Sequence, residues 1–158
     1  MGPGELDERR IPVLTGRAWC FADGLSAADI LPEPDEHGRQ LFRTIDPSLA
    51  QRLAPGDVIV GGQLLGGGPG GGMAARALAE AGVIAVVAAS FADGFEEHAL
   101  AAGLLPLEVH APAIFHTGQR LRINCEGGTI ANLSSGDRQP LRNLTDELLA
   151  RLRDLVGR

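Results

Sequence analysis

Asp57-Val-Ile-Val-Gly-Gly-Gln-Leu-Leu-Gly-Gly-Gly-Pro-Gly-Gly-Gly-Met-Ala-Ala-Arg-Ala-Leu-Ala-Glu-Ala-Gly-Val-Ile-Ala-Val-Val87 is the stretch whose reading decides the fold. Val58 to Val60 is a short apolar run that breaks into a glycine-dense loop. An alanine-rich segment of good helix propensity follows, Gly82 stops it, and a second apolar run begins. This is a strand, Gly loop, helix, strand unit of the crossover type, and it places the chain in the α/β class. The loop sits at the N-terminus of the helix. Backbone N–H groups there have no intrahelical partner, and the helix dipole favours a carboxylate or phosphate beside them.

Outward from this unit the chain keeps alternating strand and helix signals. Ile11 to Phe21 reads as a strand with Gly16 as a bulge, and residues 22–40, rich in Pro, Asp, Glu and Gly, read as a long excursion. Leu41 to Thr44 reads as a short strand. Asp46-Pro47-Ser48-Leu49 opens a short helix, with Asp46 at the N-cap and Pro47 in the first turn. Val83 to Ala89 is a core strand. Ser90 is placed to cap a helix from Phe91 to about Ala102, with Asp93 at capping-box spacing and Gly103 as the stop. Leu104 to Val109 is a further strand, and Arg120 to Asn124 with Thr129 to Leu133 form a hairpin around Glu126-Gly127-Gly128. Thr145 caps a last helix whose Leu148, Leu149, Leu152, Leu155 and Val156 share one face. No repeat or linker divides the chain, so the expectation is a flexible tail over 1–10 and a single domain over 11–158.

Composition narrows the partners. The 158 residues carry a net charge of −6 and no lysine, which argues against nucleic acid. The longest apolar run, Ala81 to Ala92, is too short to span a bilayer, and residues 1–10 lack the apolar core of a signal peptide. A cytoplasmic protein with no membrane partner is therefore expected. The two cysteines, Cys20 and Cys125, fall in strand-like runs and read as buried hydrophobes. They are too few for a metal site or an iron–sulfur cluster held by this chain alone. His110 and His116 show no ligand spacing, and His37 with Asp35 and Glu36 reads as a solvated loop.

Several segments taken together resemble the small subunit of 3-isopropylmalate dehydratase, the swivel domain of the aconitase superfamily. They are Gly16-Arg17-Ala18-Trp19-Cys20-Phe21-Ala22-Asp23 followed by Ile30-Leu31-Pro32, then Gly56-Asp57-Val58-Ile59-Val60, Ala81 to Ala92, Gly103-Leu104-Leu105-Pro106-Leu107, and Gly128 to Leu133. Their order and spacing cover nearly the whole chain. The resemblance implies an aconitase-like swivel domain, layered β/β/α. It also implies a small carboxylic-acid substrate and a separate large dehydratase subunit carrying a [4Fe-4S] cluster. The cluster's open iron would act as Lewis acid on a departing hydroxyl.

The same alignment empties the chemistry positions. The family pattern Gly-x-Gly-Ser-Ser-Arg-Glu falls on Gly66-Gly67-Gly68-Pro69-Gly70-Gly71-Gly72. The serine used as base is Pro69, which has no proton to exchange. The arginine that clamps a substrate carboxylate is Gly71, a loss of roughly 1.5–3 kcal/mol per charge-assisted bond. In the substrate loop, which here runs Asp23-Gly24-Leu25-Ser26, only Asp23 clearly keeps the family's acid. The family's Ser-Phe-Ala-Arg becomes Ser90-Phe91-Ala92-Asp93, and an expected asparagine is His98.

The candidate site residues follow. Gly66, Gly67, Gly68, Pro69, Gly70, Gly71 and Gly72 form either an amide-lined anion cradle or a merely flexible loop. Asp23 and Ser26 are substrate-loop candidates, with Asp23 equally suited to capping a turn. His98 and Asp93 are the acid–base candidates, against the plainer readings of a solvent-facing histidine and a helix cap. Three functions stay open: a swivel subunit with altered substrate or chemistry, a stand-alone cluster-free enzyme or binding protein, and a non-catalytic remnant. Whether the chain forms a homo-oligomer is equally open.

Overall fold

Residues 10–33 and 40–156 are described by the computed structural model. The tail expected over 1–10 lies outside them except for Arg10, as do Asp35, Glu36 and His37. In chain order the elements are β1 (Leu14–Cys20), α1 (Ala27–Ile30), α2 (Leu49–Arg52), β2 (Val58–Val60), α3 (Gly71–Glu80), β3 (Ala85–Ala88) and α4 (Phe95–Ala102). They are followed by β4 (Leu105–Glu108), a 3-10 turn (Pro112–Ile114), β5 (Arg120–Asn124), β6 (Thr129–Asn132), β7 (Arg138–Pro140) and α5 (Asp146–Val156).

The strands form one mixed sheet in the order β4-β3-β2-β1-β5-β6-β7. β1 to β4 are parallel, in the register Ala18 to Val58 to Ala85 to Leu105. β5 pairs antiparallel with β1, Gly16 opposite Leu121, and β6 and β7 continue antiparallel. The all-apolar β2 and β3 are buried throughout, as interior parallel strands require. On one face Trp19, Ile59 and Val86 meet Ile30, Leu49, Leu78 and Phe95 from α1 to α4. On the other, Val58, Val60 and Val87 share a core with Leu121, Ile123 and Ile130 of the antiparallel half and with Leu148 and Leu152 of α5. The antiparallel half therefore curls over the parallel half, giving helices, parallel strands and antiparallel strands in three layers. No helix among the described residues is long and apolar enough to cross a membrane.

Several sequence expectations are corrected. Leu41 to Thr44 is a turn, not a strand: Phe42 takes φ +58°, and its ring stacks on Phe21 at 4.6 Å. α2 starts at Leu49, because Asp46 accepts from the Ser48 N–H at 3.0 Å and hydroxyl at 2.8 Å in a turn ahead of the helix. α4 starts at Phe95 and not at Phe91. Ser90 spends its hydroxyl on the Leu64 N–H at 2.9 Å, and Ala92 N–H donates to Leu65, so Gly94 becomes the cap and Asp93 precedes the helix. Gly16 pairs regularly with Leu121; a Cβ there would collide with the Gly56 carbonyl oxygen. Thr145 does cap α5, accepting from the Leu148 N–H at 3.0 Å. The Glu126 turn joins β5 and β6 as expected, and β7, too short and polar for its pattern to signal it, extends the hairpin.

The loop from β2 into α3 is bound on both sides. Gln63 N–H donates to Asp23 Oδ1 at 2.8 Å, Gly66 N–H to the Leu25 carbonyl at 2.7 Å, and Leu65 N–H to the Ser90 carbonyl at 3.1 Å. Gly62 leaves room for the Asp23 carboxylate, and Gly66, at φ +91°, lies against the Phe95 ring where a Cβ would overlap it. Gly68 also has positive φ, +85°, but opens onto free space. Gly66→Ala is therefore expected to cost about 2–5 kcal/mol in urea unfolding, from left-handed strain plus overpacking. Gly68→Ala is expected to cost only about 1–2 kcal/mol; equal losses would mean that Phe95 does not pin the loop.

A second tie joins the hairpin to α5. Glu126 is buried, accepts from Arg153 Nη2 at 2.6 Å and Nε at 3.0 Å, and also accepts from the Ile11 N–H at 2.9 Å. The guanidinium bonds, then the Ile11 amide, hold its carboxyl down from 4.5 to about 2. A carboxyl whose folded pKa lies below its unfolded one stabilises the fold at neutral pH and loses that contribution as pH falls. Wild-type stability should decline between about pH 5 and pH 2 through this group, a slope that Glu126→Gln should flatten in pH-dependent denaturation.

Candidate functional site at the carboxyl ends of the parallel strands

The carboxyl ends of β1 to β4 open into a cleft of about 560 Å³. In open α/β sheets, loops at these strand ends are where ligands gather. β1 leads into Cys20, Phe21 and Asp23, β2 into Gly61, Gly62 and Gln63, β3 into Ala89, and β4 into His110 and Pro112. Asp23 is thus the one predicted site residue that lines the cleft itself. Its Oδ1 holds the Gln63 amide, so it also does the turn-capping work that the sequence left open. Gln63, His110 and Cys20 were not singled out for this cleft. Their one sequence signal is position, each at or just past the end of a parallel strand.

Beside the cleft, the glycine run enters α3. Gly70 is the N-cap in the left-handed region at φ +92°, and the first helical bond runs from Ala74 N–H to the Gly70 carbonyl. The amides of Gly71, Gly72 and Met73 have no acceptor among the described residues. His98, exposed on α4, lies against this first turn. A Cβ on Gly71 would stand 3.1 Å from His98 Cδ2, and one on Gly72 3.2 Å from Nδ1. The imidazole therefore occupies the room into which side chains at 71 and 72 would grow.

The remaining candidates lie apart. Ser26 caps α1, accepting from the Asp29 N–H at 3.0 Å while Asp29 accepts from the Ser26 N–H at 3.0 Å, a reciprocal capping box. Asp93 is exposed in the segment ahead of α4 and does not cap it.

Electrostatics assigns the thiols. Burial pushes Cys20 up to about 11 against the opposing hydrogen bond of Thr117, and burial with the nearby Glu126 carboxylate pushes Cys125 to about 11. Both are protonated at neutral pH, the wrong state for a nucleophile. Among the described residues no three His, Cys, Asp or Glu side chains converge into a metal-binding group. On α4, burial and the adjoining Glu108 carboxyl raise Glu96 above the usual glutamate range.

Several large apolar side chains near this edge of the sheet are exposed: Leu64 61% in the loop after β2, Leu133 51% after β6, Met73 47% in the first turn of α3 and Ile114 37% in the 3-10 turn, with Val13 and Ile45 the other two among the described residues. Leu64 holds φ +56°, a left-handed conformation that costs a branched side chain about 1–2 kcal/mol. Exposed apolar groups gathered on one edge mark a surface that meets something else.

Comparison with known proteins agrees with this architecture. The Aconitase C-terminal domain family matches residues 49–112, which carry β2, the glycine loop, α3, β3, α4 and β4. The chain is 33% identical over 147 residues to the 3-isopropylmalate dehydratase small subunit 1 of Methanopyrus kandleri, covering 87% of this chain and 85% of that one. It is 30% identical over 149 residues to the methanogen homoaconitase small subunit of Methanothermobacter thermautotrophicus, covering 90% and 86%. The crystal structure of 3-isopropylmalate dehydratase from Methanocaldococcus jannaschii superposes with a TM-score of 0.78 at 26% identity, covering 85% of this chain and 84% of that one. Identity of this level over most of both chains carries the assignment: the chain belongs to the 3-isopropylmalate dehydratase small-subunit family of aconitase-type swivel domains.

Proposed function

We propose that residues 11–158 act as one swivel unit of a two-subunit hydro-lyase or isomerase, with a substrate or chemistry altered from the family's. The unit holds a small hydroxy-carboxylate at the Gly66–Gly72 loop. The observation that carries this reading is the row of amides from Gly71 to Met73 without acceptors among the described residues, at the start of α3 in the connection that leaves the cleft end of β2. Three main-chain donors with the helix dipole behind them hold a carboxylate without any cationic side chain. That is the task the family assigns to the arginine replaced here by Gly71.

In this reading a large dehydratase subunit docks on the exposed apolar side chains near this edge and carries the [4Fe-4S] cluster. This chain's own donors do not suit a cluster: it has two cysteines, fewer than a cluster's thiolate set requires. When bound in the partner, such a cluster supplies Lewis-acid polarisation of a leaving hydroxyl. The residues of this chain bind, orient and exclude water. The amides at 71–73 take one carboxylate, and Asp23 and Gln63 line the adjoining cleft where the rest of the substrate lies. The His98 imidazole, against the first turn of α3, is the proton carrier best placed beside the bound anion, since Pro69 cannot serve. The relatives' names fit the class, because 3-isopropylmalate and homoaconitate are both small polycarboxylates.

The test has two arms. Malonate titrated into the isolated chain should shift the backbone amide resonances of Gly71, Gly72 and Met73 first; unmoved resonances there would remove the cradle. With its large subunit, the wild type should turn over 3-isopropylmalate poorly. Restoring the family residues by Pro69→Ser, Gly71→Arg and Gly72→Glu, with His98→Asn to clear space, should raise that rate by at least about tenfold, one charge-assisted bond's worth. Full wild-type turnover would overturn the altered chemistry, and a colourless chain active alone would favour the cluster-free alternative.

A further inference from the structure

β5 and β7 carry arginines on the side of the sheet that the helices leave uncovered. The inward residues Leu121, Ile123 and Ile130 are sealed in the core with α5, so Arg120, Arg122 and Arg138 point the other way and are exposed. The pairing lines them up. Arg122 stands opposite Ala131, and Ala131 opposite Arg138, so two guanidinium-bearing residues flank one small side chain across three strands. Between them runs a shallow trough of about 320 Å³ with Thr129 and Asn124 on its walls.

This arrangement breaks a local rule without repair inside the chain. Arg17 and Arg120 are directly opposed across β1 and β5, where like charges destabilise a sheet. Arg17 is neutralised, donating to Asp57 at 3.2 Å and to the Arg52 carbonyl at 2.7 Å. Arg120, Arg122 and Arg138 make no side-chain hydrogen bond or ion pair among the described residues, in a chain with six more acidic than basic residues. Arg151, Arg153 and Arg52 are matched, with Glu97, Glu126 and Asp46. Arg76 and Arg142 are also exposed without an ion pair among the described residues, but only on this sheet face does the register gather unpaired arginines together, open to a counter-charge from outside.

The face also adjoins the cleft edge. Leu133 N–H donates to the Arg120 carbonyl, and the exposed Leu133 side chain borders the trough. Exposed arginines beside an exposed apolar side chain, around a trough walled by Asn124, Thr129 and Asn132, suit a polar protein–protein contact. Resting on the two-subunit reading above, we infer that the outer face of β5, β6 and β7 docks an acidic surface of the large subunit. Arg122 and Arg138 form its charged grip and Leu133 its apolar edge. Opposite potentials of this kind mainly set the rate and orientation of encounter, so the association is salt-dependent.

The test measures binding of the full chain to its large subunit by surface plasmon resonance at 50 and 500 mM salt. Wild-type association should slow at least about tenfold at high salt. Arg122→Glu with Arg138→Glu should weaken binding about 100-fold at low salt, and the milder Arg122→Gln with Arg138→Gln about tenfold, each with unchanged thermal unfolding. Arg142→Glu, an exposed arginine beyond β7 at the opposite end of the hairpin, is the control and should bind as wild type. Wild-type affinity retained by both double variants would overturn this inference while leaving the two-subunit reading intact. No wild-type complex at all would sink that reading and this inference with it. A homodimer of the wild type that the Glu variants dissociate would instead assign the face to a second copy of the chain.

Discussion

A single buried carboxylate holds the frame on which the site is built. Asp57 is 4% exposed at the entry to β2, and its Oδ2 accepts from Trp19 Nε1 at 2.8 Å, Ala54 N–H at 2.8 Å and Arg17 Nη2 at 3.2 Å. The Arg17 and Arg52 guanidinium carbons stand 4.6 and 5.0 Å from the Trp19 ring centroid, so Arg17, which neutralises the acid, also stacks with Arg52 on the aromatic it bonds. The network ties β1 to the turn that launches β2, fixing Ala18 opposite Val58. A one-residue slip there would move Trp19 and Ile59 to the wrong face. Removing one partner of such a buried charge costs about 3–5 kcal/mol, whereas an exposed pair such as Arg151 with Glu97 is screened by water and adds little. The acid is therefore a device of register, acting at the end of the strands opposite the cleft.

With register fixed, the strand ends on the other edge become a rigid shelf, and the glycine loop is anchored to it. The loop divides in two. Up to Gly67 it is bonded on both sides and needs glycine for close approach, at Gly62 to Asp23 and at Gly66 to Phe95. From Gly68 into α3 the amides of Gly71 to Met73 lack acceptors among the described residues, with open space at Gly68 and Gly70 and the His98 imidazole against Gly71 and Gly72. The half that packs against Asp23 and Phe95 is thus the anchored one, and the half that enters α3 is the one whose amides lack acceptors among the described residues.

The central crossover unit was legible because its signals are local: two apolar runs, an alanine-rich helix, and Gly82 at φ +95° behind it. The Glu126 turn, Gly103 as a stop and the apolar stripe of α5 were readable for the same reason. What escaped reading depends on residues far apart in the chain. Ser90 has the sequence of a helix cap, yet its hydroxyl goes to Leu64, 26 positions away, and the helix starts a turn later. Phe42 looked like a strand residue, but it follows Phe21 into a left-handed turn. β7 reads Arg-Gln-Pro and shows no apolar alternation, since Pro140 sits at its end and only Gln139 faces inward. In the site, Asp23 was found through the family pattern. Gln63 and His110 belong to no motif and are placed only by the ends of β2 and β4.

The arginine face and the stripped loop share one logic. A subunit that works alone has reason to satisfy its own charges and to carry its own catalytic side chains. This chain keeps a scaffold of high internal satisfaction, with no buried side-chain polar atom among the described residues left unbonded. It nevertheless leaves the amides of Gly71 to Met73, the guanidinium groups of Arg120, Arg122 and Arg138 and the exposed Leu64, Met73 and Leu133 without partners among the described residues. Unsatisfied donors at the surface cost little in water, so they persist without penalty until a partner removes the water. Once desolvated, the same groups become strong and directional. The edge of the sheet is thus poorly matched as a free surface and well suited to being covered.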